Sequence, residues 1–559
     1  MKQKILTALL MFGIVANSFA QVVAADKFYV QFTNKSGSIY SIDHPEDFLT
    51  QRAIDRRSRF GIMITENDIP VNANYVQGVA AVGVEILNST KWFNGVTIYT
   101  NDTNLLSQIR DLEYVSSIVE TSFPMSKKSD KFKNIILHEN DINNESAGLK
   151  NTESMDYGYS FGQIDQLNGI MLHDEGFMGQ GMVIAVLDAG FSGALTHPIL
   201  DYLWQNNKIL GSKDFVYIGG SVFNDSEHGK MVLSCMGGNL PGEMIGTAPE
   251  ADYWLLRSEE APHENLIEEY NWMSAAEFAD SVGADVINSS LGYIDFDSTI
   301  FNHPYSAMNG NTTVISRAAD IAATKGMLVV NSAGNSGDNT SFPWIGAPAD
   351  GDSVFTIGAV NLDDQRASFS SIGPTADGRI KPLVMACGQG ATIAVGTSGY
   401  STWGNGTSFS SPIMAGMSTC LWQAHPEMTA MDVQEAIKSS GTYATDPDDY
   451  MGWGIPNFYG ADSILTSISN PIFIDNFVAV YPNPFNNKLE IEINTDSAET
   501  ISIELVSITG NIIFRKHFDV LNSNKKIILT SELASIQQGV YFLKVVAQNK
   551  TRIVKVIKS

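Results

Sequence analysis

The arrangement of apolar residues divides the chain into three parts, and the middle part has the clearest pattern. Within about 155–466, short apolar runs such as 183–187 and 327–330 alternate with helical segments such as 270–283. Runs of four or five consecutive apolar residues are typical of strands buried on both faces, and helices between them indicate βαβ units. We therefore predict an α/β domain at 151–466, with a parallel sheet flanked by helices.

The two flanking parts have different patterns. Residues 21–150 combine strand-like runs at 28–32 and 95–99 with a charged, helix-like stretch at 45–57, which predicts an α+β unit. It ends in a polar tract, 127–154, typical of an exposed and cleavable linker. From 471 to 559 apolar and polar residues alternate, which predicts a small antiparallel β-sandwich.

The first twenty residues have the features of a secretory signal peptide. Lys2 and Lys4 precede an apolar run at 5–16, and Ser18, Phe19 and Ala20 form a small-x-small cleavage pattern. The run is too short to span a bilayer, and no later stretch has 18 consecutive apolar residues. We therefore expect an exported protein with no transmembrane span.

Charge and cysteine content exclude several classes of function. The 559-residue chain has a formal net charge of −26, which argues against nucleic acid or an anionic membrane as a partner. Its three cysteines, Cys235, Cys387 and Cys420, are too few for a disulfide framework and are expected to be buried thiols. No zinc-binding spacing is present.

Four polar residues stand where catalytic groups are expected in an α/β domain, near the carboxyl ends of buried strands. Asp188 directly follows the apolar run 183–187, and Asn335 lies shortly after 327–330. His228 begins a helical pattern, and Ser408 precedes another that contains Pro412. Taken singly, each also fits a turn, a helix cap or a structural role.

Together the four residues indicate nucleophilic catalysis. Their order, Asp188, His228 and then Ser408, differs from that of α/β-hydrolases, whose serine comes first and lies in G-x-S-x-G. Free backbone N–H groups at a helix start favour a developing oxyanion, and the Asn335 amide is a further donor.

The sequence around these residues resembles the subtilisin family of serine proteases, the subtilases. The resemblance covers about 155–466 and rests on VIAVLDAGF, the His-Gly pair at 228–229, SSLG at 289–292, SAGN, GTSFSSP and two supporting blocks, 246–257 and 367–382. It implies that Ser408 is the nucleophile, His228 the general base and acid, Asp188 the residue that orients His228, and Asn335 the oxyanion donor. Lys230 departs from the family pattern, which usually has Thr there, and could alter packing or charge near His228.

The resemblance also implies the substrate-binding residues. One strand edge would pair with an extended peptide, and a second segment would wall the S1 pocket. The residues concerned are Ser290, Leu291 and Gly292 on the strand edge, and Ser332, Ala333 and Gly334 at the pocket.

Both flanking parts resemble known accessory domains. The first resembles the propeptide of Bacteroidetes subtilases, a chaperone and inhibitor that would be removed within 127–154. The last, with VYPNPFNN at 480–487 and GVYFLKV at 539–545, resembles a type IX secretion C-terminal sorting domain. That implies passage through the periplasm, engagement of the type IX machinery and release or display outside the outer membrane. A carbohydrate-binding or adhesive sandwich is the alternative.

The expected function is that of a secreted serine endopeptidase that acts on polypeptides and is made as a self-processed zymogen. The alternative is a non-enzymatic surface protein that binds partners through the same fold. No cofactor is expected to be required. Subtilases often bind Ca²⁺, and the acidic loops 295–297 and 446–449 could supply oxygen ligands, but neither is assigned as a site.

Overall fold

The computed structural model describes residues 26–122, 155–469, 478–494, 500–507, 511–519, 524–533, 536–547 and 550–558. The expected signal peptide at 1–20 and the polar tract at 127–154 lie outside these ranges. The chain forms two compact units, Met1–Leu465 and Thr466–Ser559. No helix in the described ranges has both the length and the apolar character needed to cross a bilayer.

The N-terminal part of the first unit is a four-stranded antiparallel sheet with three helices. The sheet has the order β2-β3-β1-β4, and its core includes Val30, Val96 and Ile98. The strands are β1 Lys27–Phe32, β2 Glu85–Thr90, β3 Gly95–Tyr99 and β4 Val115–Glu120, and the helices are α1 Gln51–Arg59, α2 Ala73–Ala81 and α3 Asn104–Arg110.

The helix expected at 45–57 is displaced in the structure. A 3₁₀ turn at Pro45–Asp47 is followed by a break, and α1 begins only at Gln51. The side chain of Thr50 accepts a hydrogen bond from the Ala53 N–H at 3.3 Å, which makes Thr50 the N-cap that sets the start of the helix.

The middle domain has the expected parallel sheet, which contains seven strands in the order β13-β12-β11-β10-β5-β9-β6. The strands are β5 Val183–Asp188, β6 Ile209–Asp214, β9 Asp252–Arg257, β10 Val286–Ser289, β11 Leu328–Ser332, β12 Phe355–Val360 and β13 Val384–Cys387. Two hairpins accompany the sheet, formed by β7 Asn239–Leu240 with β8 Met244–Ile245, and by β14 Gln389–Val395 with β15 Gly399–Asn405.

Helices cover both faces of this sheet. Along β5, Ile184 and Val186 face one cluster of buried residues, which includes those of α7 and α10, while Ala185 and Leu187 face the other, with α8 and α9. This two-sided burial explains the continuous apolar runs of the central strands. The helices are α4 Phe161–Asp165, α5 Ile170–Asp174, α6 Asp201–Gln205, α7 His228–Gly237, α8 Ile267–Val282, α9 Val314–Thr324, α10 Thr407–Ala424, α11 Ala430–Ser439 and α12 Phe458–Ser469. The three cysteines are buried and unpaired, as predicted.

The second unit is a two-sheet β-sandwich. Its sheets have the orders β16-β17-β20 and β19-β18-β21-β22, and side chains of both, such as Ile491 and Ile503, share one core. The strands are β16 Val478–Tyr481, β17 Leu489–Asn494, β18 Thr500–Ser507, β19 Ile512–Asp519, β20 Asn524–Leu529, β21 Gly539–Ala547 and β22 Lys550–Lys558. The period-two pattern predicted this architecture.

Candidate active site

A buried hydrogen bond joins the ends of two elements in the middle domain. Asp188 is the last residue of β5, and His228 is the first residue of α7. Asp188 Oδ1 lies 2.8 Å from His228 Nδ1, and both side chains are almost completely buried. Because a carboxylate accepts from Nδ1–H, the Nε2 atom of a neutral His228 is left to act as a base.

Gly229 allows this close approach. A Cβ atom at Gly229 would lie 2.5 Å from the carbonyl oxygen of Gly190 and 3.0 Å from Cβ of Asp188. The Gly229 N–H instead donates to that Gly190 oxygen at 2.8 Å. Only a residue without a side chain therefore permits α7 to begin against the end of β5.

Ser408 is the second residue of α10, within the helix rather than before it as the sequence suggested. Phe409, the next residue, has its ring centroid 6.3 Å from that of His228, so the first turn of α10 lies beside the histidine. The Ser408 hydroxyl donates to the Ser290 carbonyl at 3.4 Å, a long contact.

Pro412 is the sixth residue of α10, in its second turn. A proline has no N–H to donate to the carbonyl four residues earlier, which here belongs to Ser408. The Ser290 hydroxyl donates to this carbonyl at 2.9 Å. The segment after β10 thus satisfies the backbone group that the proline leaves open.

Asn335 follows β11 and is held against the start of α10. Its Oδ1 atom accepts from the Thr407 N–H at 2.9 Å and from the Thr407 hydroxyl at 3.0 Å. These bonds orient the amide so that Nδ2 remains a donor on the other side. A Cβ atom at Gly406 would lie 3.6 Å from that Nδ2 and 3.8 Å from Cβ of Ser408. The space between Asn335 and Ser408 could therefore hold a polarised oxygen.

These groups open onto one cleft of about 390 Å³. Eight of the ten residues predicted from the sequence line it, and the other two, Asp188 and His228, are joined by the buried hydrogen bond. The lining set is Ser290, Leu291, Gly292, Ser332, Ala333, Gly334, Asn335 and Ser408. The cleft is also lined by Asp295 and Asp297 of the acidic loop noted in the sequence, and by Glu259 and Glu264, which no sequence motif indicated.

The polar contacts of Lys230 are made with residues other than His228. Its side chain is fully buried, and Nζ donates to the Glu227 carboxylate at 2.7 Å and to the Gly396 carbonyl at 2.5 Å. The Glu227 carboxylate therefore compensates the charge of Lys230, and the ammonium group is also bound to the turn between β14 and β15.

The N-terminal domain packs on α8 through buried carboxylates. The N–H groups of Lys91 and Trp92 donate to Glu277 at 2.7 and 2.9 Å. Burial raises the pKa of Glu277 to about 7. At the start of α8, the Ile267 N–H donates to the carbonyl of Thr121 at 3.0 Å, so this described part of the N-terminal domain contacts the first residue of α8.

A second carboxylate on α8, that of Asp280, forms ion pairs with three basic side chains of the N-terminal domain. Asp280 is fully buried and accepts from Arg56 at 2.7 Å, from Arg57 at 2.8 Å and from Lys91 at 3.1 Å. Burial opposes ionisation, but Lys91 and the two arginines more than offset it and lower the pKa of Asp280 to about 2.

The sheet, the Asp188–His228 pair and the serine at the start of α10 define a subtilisin-like serine protease. Three family models agree: "Subtilase family" matches 179–454, "Peptidase S8 propeptide domain, Bacteroidota" matches 27–134, and "Secretion system C-terminal sorting domain" matches 479–559. The chain belongs to the subtilase family and is a serine endopeptidase with a propeptide. The match at 479–559 supports a sorting domain, and not a carbohydrate-binding or adhesive domain, as the identity of the β-sandwich.

Two curated relatives illustrate the similarity. Subtilisin NAT of Bacillus subtilis subsp. natto is 31% identical over 314 residues, which is 55% of this chain and 71% of that protein. Serine protease AprX of Bacillus subtilis (strain 168) is 28% identical over 321 residues, which is 52% of this chain and 67% of that protein. Among solved structures, MycP1 from the ESX-1 type VII secretion system has a TM-score of 0.43 at 21% identity, covering 56% of this chain and 87% of its own.

Proposed function

We propose that the protein is a secreted zymogen that cleaves polypeptides, its own propeptide included, through an acyl-enzyme. The Asp188–His228 hydrogen bond of 2.8 Å, beside the helix start that carries Ser408, is the observation that carries this proposal. It supplies an oriented base next to a serine at one end of a cleft.

In this mechanism Ser408 Oγ attacks the scissile carbonyl carbon and His228 Nε2 takes the hydroxyl proton. Asp188 stabilises the imidazolium that forms. The tetrahedral oxygen accepts from Asn335 Nδ2 and from the Ser408 N–H. His228 then gives its proton to the leaving amine, and water releases the acyl group with His228 again as the base.

The cleft walls support the substrate roles. Ser290, Leu291 and Gly292 continue from the end of β10 beyond its paired residues, and an extended peptide can add to such a backbone edge. Ser332, Ala333 and Gly334 form the other wall, next to Asn335. A polypeptide laid between these segments would place its scissile bond at Ser408.

The propeptide contacts favour processing in cis. The last described residues of that domain, Thr121 and Ser122, lie at the start of α8, and residues 123–154 connect this point to the protease domain. We propose that cleavage in 127–154 leaves the propeptide bound on Glu277 and Asp280.

The test is intact mass and N-terminal sequencing of purified wild type beside Ser408→Ala, with Ser439→Ala on α11 as the control. Wild type and the control should begin near residue 150 and be labelled by a serine-directed phosphonate at Ser408. The Ser408→Ala protein should keep its propeptide and remain unlabelled. Wild type that neither matures, reacts with the phosphonate nor cleaves casein would favour the binding-protein alternative.

Export through the type IX machinery is the second part of the proposal, supported by the sorting-domain match at 479–559. Deletion of these residues should leave processed, active protease in the periplasm, where cell fractionation would find it. Protease outside the cell at wild-type levels after the deletion would contradict the assigned role.

A further inference from the structure

A group of three neighbouring carboxylates, two of which line the cleft, has no role in the proposed reaction. It consists of Glu259, which lies just after β9, Glu264, in the following loop, and Glu268, in the first turn of α8. One oxygen from each lies within 4.8 Å of those of the others. Within the part of the chain that the structure describes, no other group of three His, Cys, Asp or Glu side chains is arranged in this way.

The spacing of these oxygens fits a bound ion. Oxygen ligands of Ca²⁺ lie 2.3–2.6 Å from the metal, so two ligands of one ion are at most about 5 Å apart. Three carboxylates brought this close repel one another, and burial strengthens the repulsion because water is excluded. Glu259 and Glu268 are almost completely buried. A divalent cation among them would turn this repulsion into attraction.

The backbone holds one of these carboxylates in place. The N–H groups of Glu260 and Asn265 donate to the two oxygens of Glu268 at 2.7 and 2.9 Å. The loop 258–266 thus folds around Glu268, which brings Glu259 and Glu264 to the same point. A helix start alone would favour one carboxylate, but it does not account for the other two.

Two neutral groups at the carboxylates independently indicate a ligand. The Tyr293 hydroxyl is fully buried and has no hydrogen-bond partner among the described residues. Tyr293 stands between Gly292 and Ile294, which line the same cleft as Glu259 and Glu264. The Asn265 amide is 1% exposed and likewise has no partner in the described ranges for either polar atom. Buried polar groups are normally satisfied, and an ion with its water would satisfy both.

We propose that Glu259, Glu264 and Glu268 bind one calcium ion in the wall of the substrate cleft, with Asn265 and Tyr293 completing the oxygen set directly or through water. The donors are all oxygens with no His or Cys, which favours a hard cation. Ca²⁺ accepts an irregular set of six to eight ligands, whereas Mg²⁺ demands near-octahedral geometry. The ion would order the loop 258–266 and neutralise the charge beside the peptide-binding edge.

The two acidic loops singled out from the sequence are engaged differently. In the loop 295–297, Asp297 accepts from His263 Nδ1 at 3.1 Å and from the Glu264 N–H at 3.2 Å. In the loop 446–449, Asp448 accepts from the N–H groups of Tyr450 and Met451. The first loop therefore supports Glu264 from behind, and the second is closed by its own turn.

The test uses the full-length Ser408→Ala protein, which is protected from self-digestion and makes the result independent of catalysis. After treatment with EDTA, calcium binding is measured by isothermal titration, and thermal unfolding is followed with and without 5 mM Ca²⁺. The Glu264→Gln variant and the Glu259→Gln, Glu268→Gln double variant should each bind about one ion fewer per chain. Their calcium-dependent rise in Tm should shrink. The Asp446→Asn variant is the matched control and should behave as the parent.

Three outcomes would overturn the proposal. The variants could bind as many calcium ions as the parent, or the parent could bind none. In the third, Glu264→Gln in the active enzyme would lose cleavage only of peptides with Lys or Arg near the scissile bond, with calcium binding unchanged. The carboxylates would then receive a cationic substrate side chain. If the double variant fails to fold, Glu264→Gln decides alone, because Glu264 is the least buried of the three.

Discussion

Ser290 and Ser408 exchange hydrogen bonds across the cleft: the Ser290 hydroxyl donates to the Ser408 carbonyl at 2.9 Å, and the Ser408 hydroxyl donates to the Ser290 carbonyl at 3.4 Å. The first bond replaces the helix bond that Pro412 cannot make. The proposed nucleophile, Ser408, is therefore held in place by the same backbone segment that is proposed to bind the substrate.

This exchange predicts a double-mutant rescue. Ser290→Ala leaves the buried Ser408 carbonyl unsatisfied, which should cost about 1–3 kcal/mol and lower Tm by a few degrees. Pro412→Ala supplies an N–H for the same carbonyl, so the double variant should recover most of the loss. Calorimetry measures the loss and the recovery of Tm. It can be done in the Ser408→Ala background, because the substitution keeps the backbone carbonyl that accepts the hydrogen bond. Strictly additive losses would show that the two groups do not serve one acceptor.

Asn335→Ala should lower kcat about 10²–10³-fold with little change in KM, the range known for removing one oxyanion donor from a subtilisin. Thr407→Val keeps the amide but removes one of the two bonds that orient it, and its loss should be about tenfold or less. Steady-state kinetics on a peptide ester compares them. A loss confined to KM would assign Asn335 to substrate binding instead.

Gly229→Ala should impair catalysis although it replaces none of the residues assigned to catalysis. The added Cβ would meet the Gly190 carbonyl at 2.5 Å and push His228 away from Asp188. We expect a drop in kcat of at least about tenfold and a lower Tm, of the order seen for overpacking. Gly460→Ala on α12 is the control, because its Cβ would meet Ser440 at an ordinary 3.5 Å. Wild-type kcat for Gly229→Ala would mean that α7 can shift without cost.

Propeptide affinity should depend on pH through Glu277 and Asp280. The pKa of Glu277 is raised to about 7, so its contribution is complete below the ordinary value of 4.5 and is lost as pH rises through 7. The pKa of Asp280 is lowered to about 2, so its contribution is complete above 3.8 and is lost as pH falls through 2. Binding should therefore be tightest near pH 4–5.

The measurement is the inhibition constant of the propeptide for the processed enzyme between pH 5 and 8, which should rise by between one and two orders of magnitude, roughly 70-fold for the pKa values above. Glu277→Gln should flatten this rise, whereas Glu435→Gln, an exposed carboxylate on α11, should leave it unchanged. A constant that falls as pH rises would reverse the sign assigned to Glu277.

The central strands were predictable because both of their faces are buried, as the continuous run at 183–187 shows. The edge strand β6 was not, since its sequence is ILGSKD and only Asp214 is buried. The strand β13, at the other edge, has only four residues, and a single residue, Gly388, separates it from β14. Apolar pattern alone does not separate such neighbours.

The part of the candidate site that short sequence motifs encode was predictable. Ser408, His228 and Asp188 each stand at a strand end or a helix start, which local sequence reveals. The hydrogen bonds between Ser290 and Ser408 join residues that are 118 positions apart in the sequence. The ion pair of Arg57 with Asp280 joins residues that are 223 positions apart. Such pairings follow from the fold, and no local pattern signals them.

The burial of three propeptide cations around Asp280 has a kinetic consequence. Cutting the linker removes a covalent tether but none of these contacts, so the freed fragment should remain a slowly dissociating inhibitor. Activity would then appear after a lag that ends once the first free molecules digest the fragment bound to others. A population of this protease should switch on abruptly and earlier at higher enzyme concentration, as in a chain reaction.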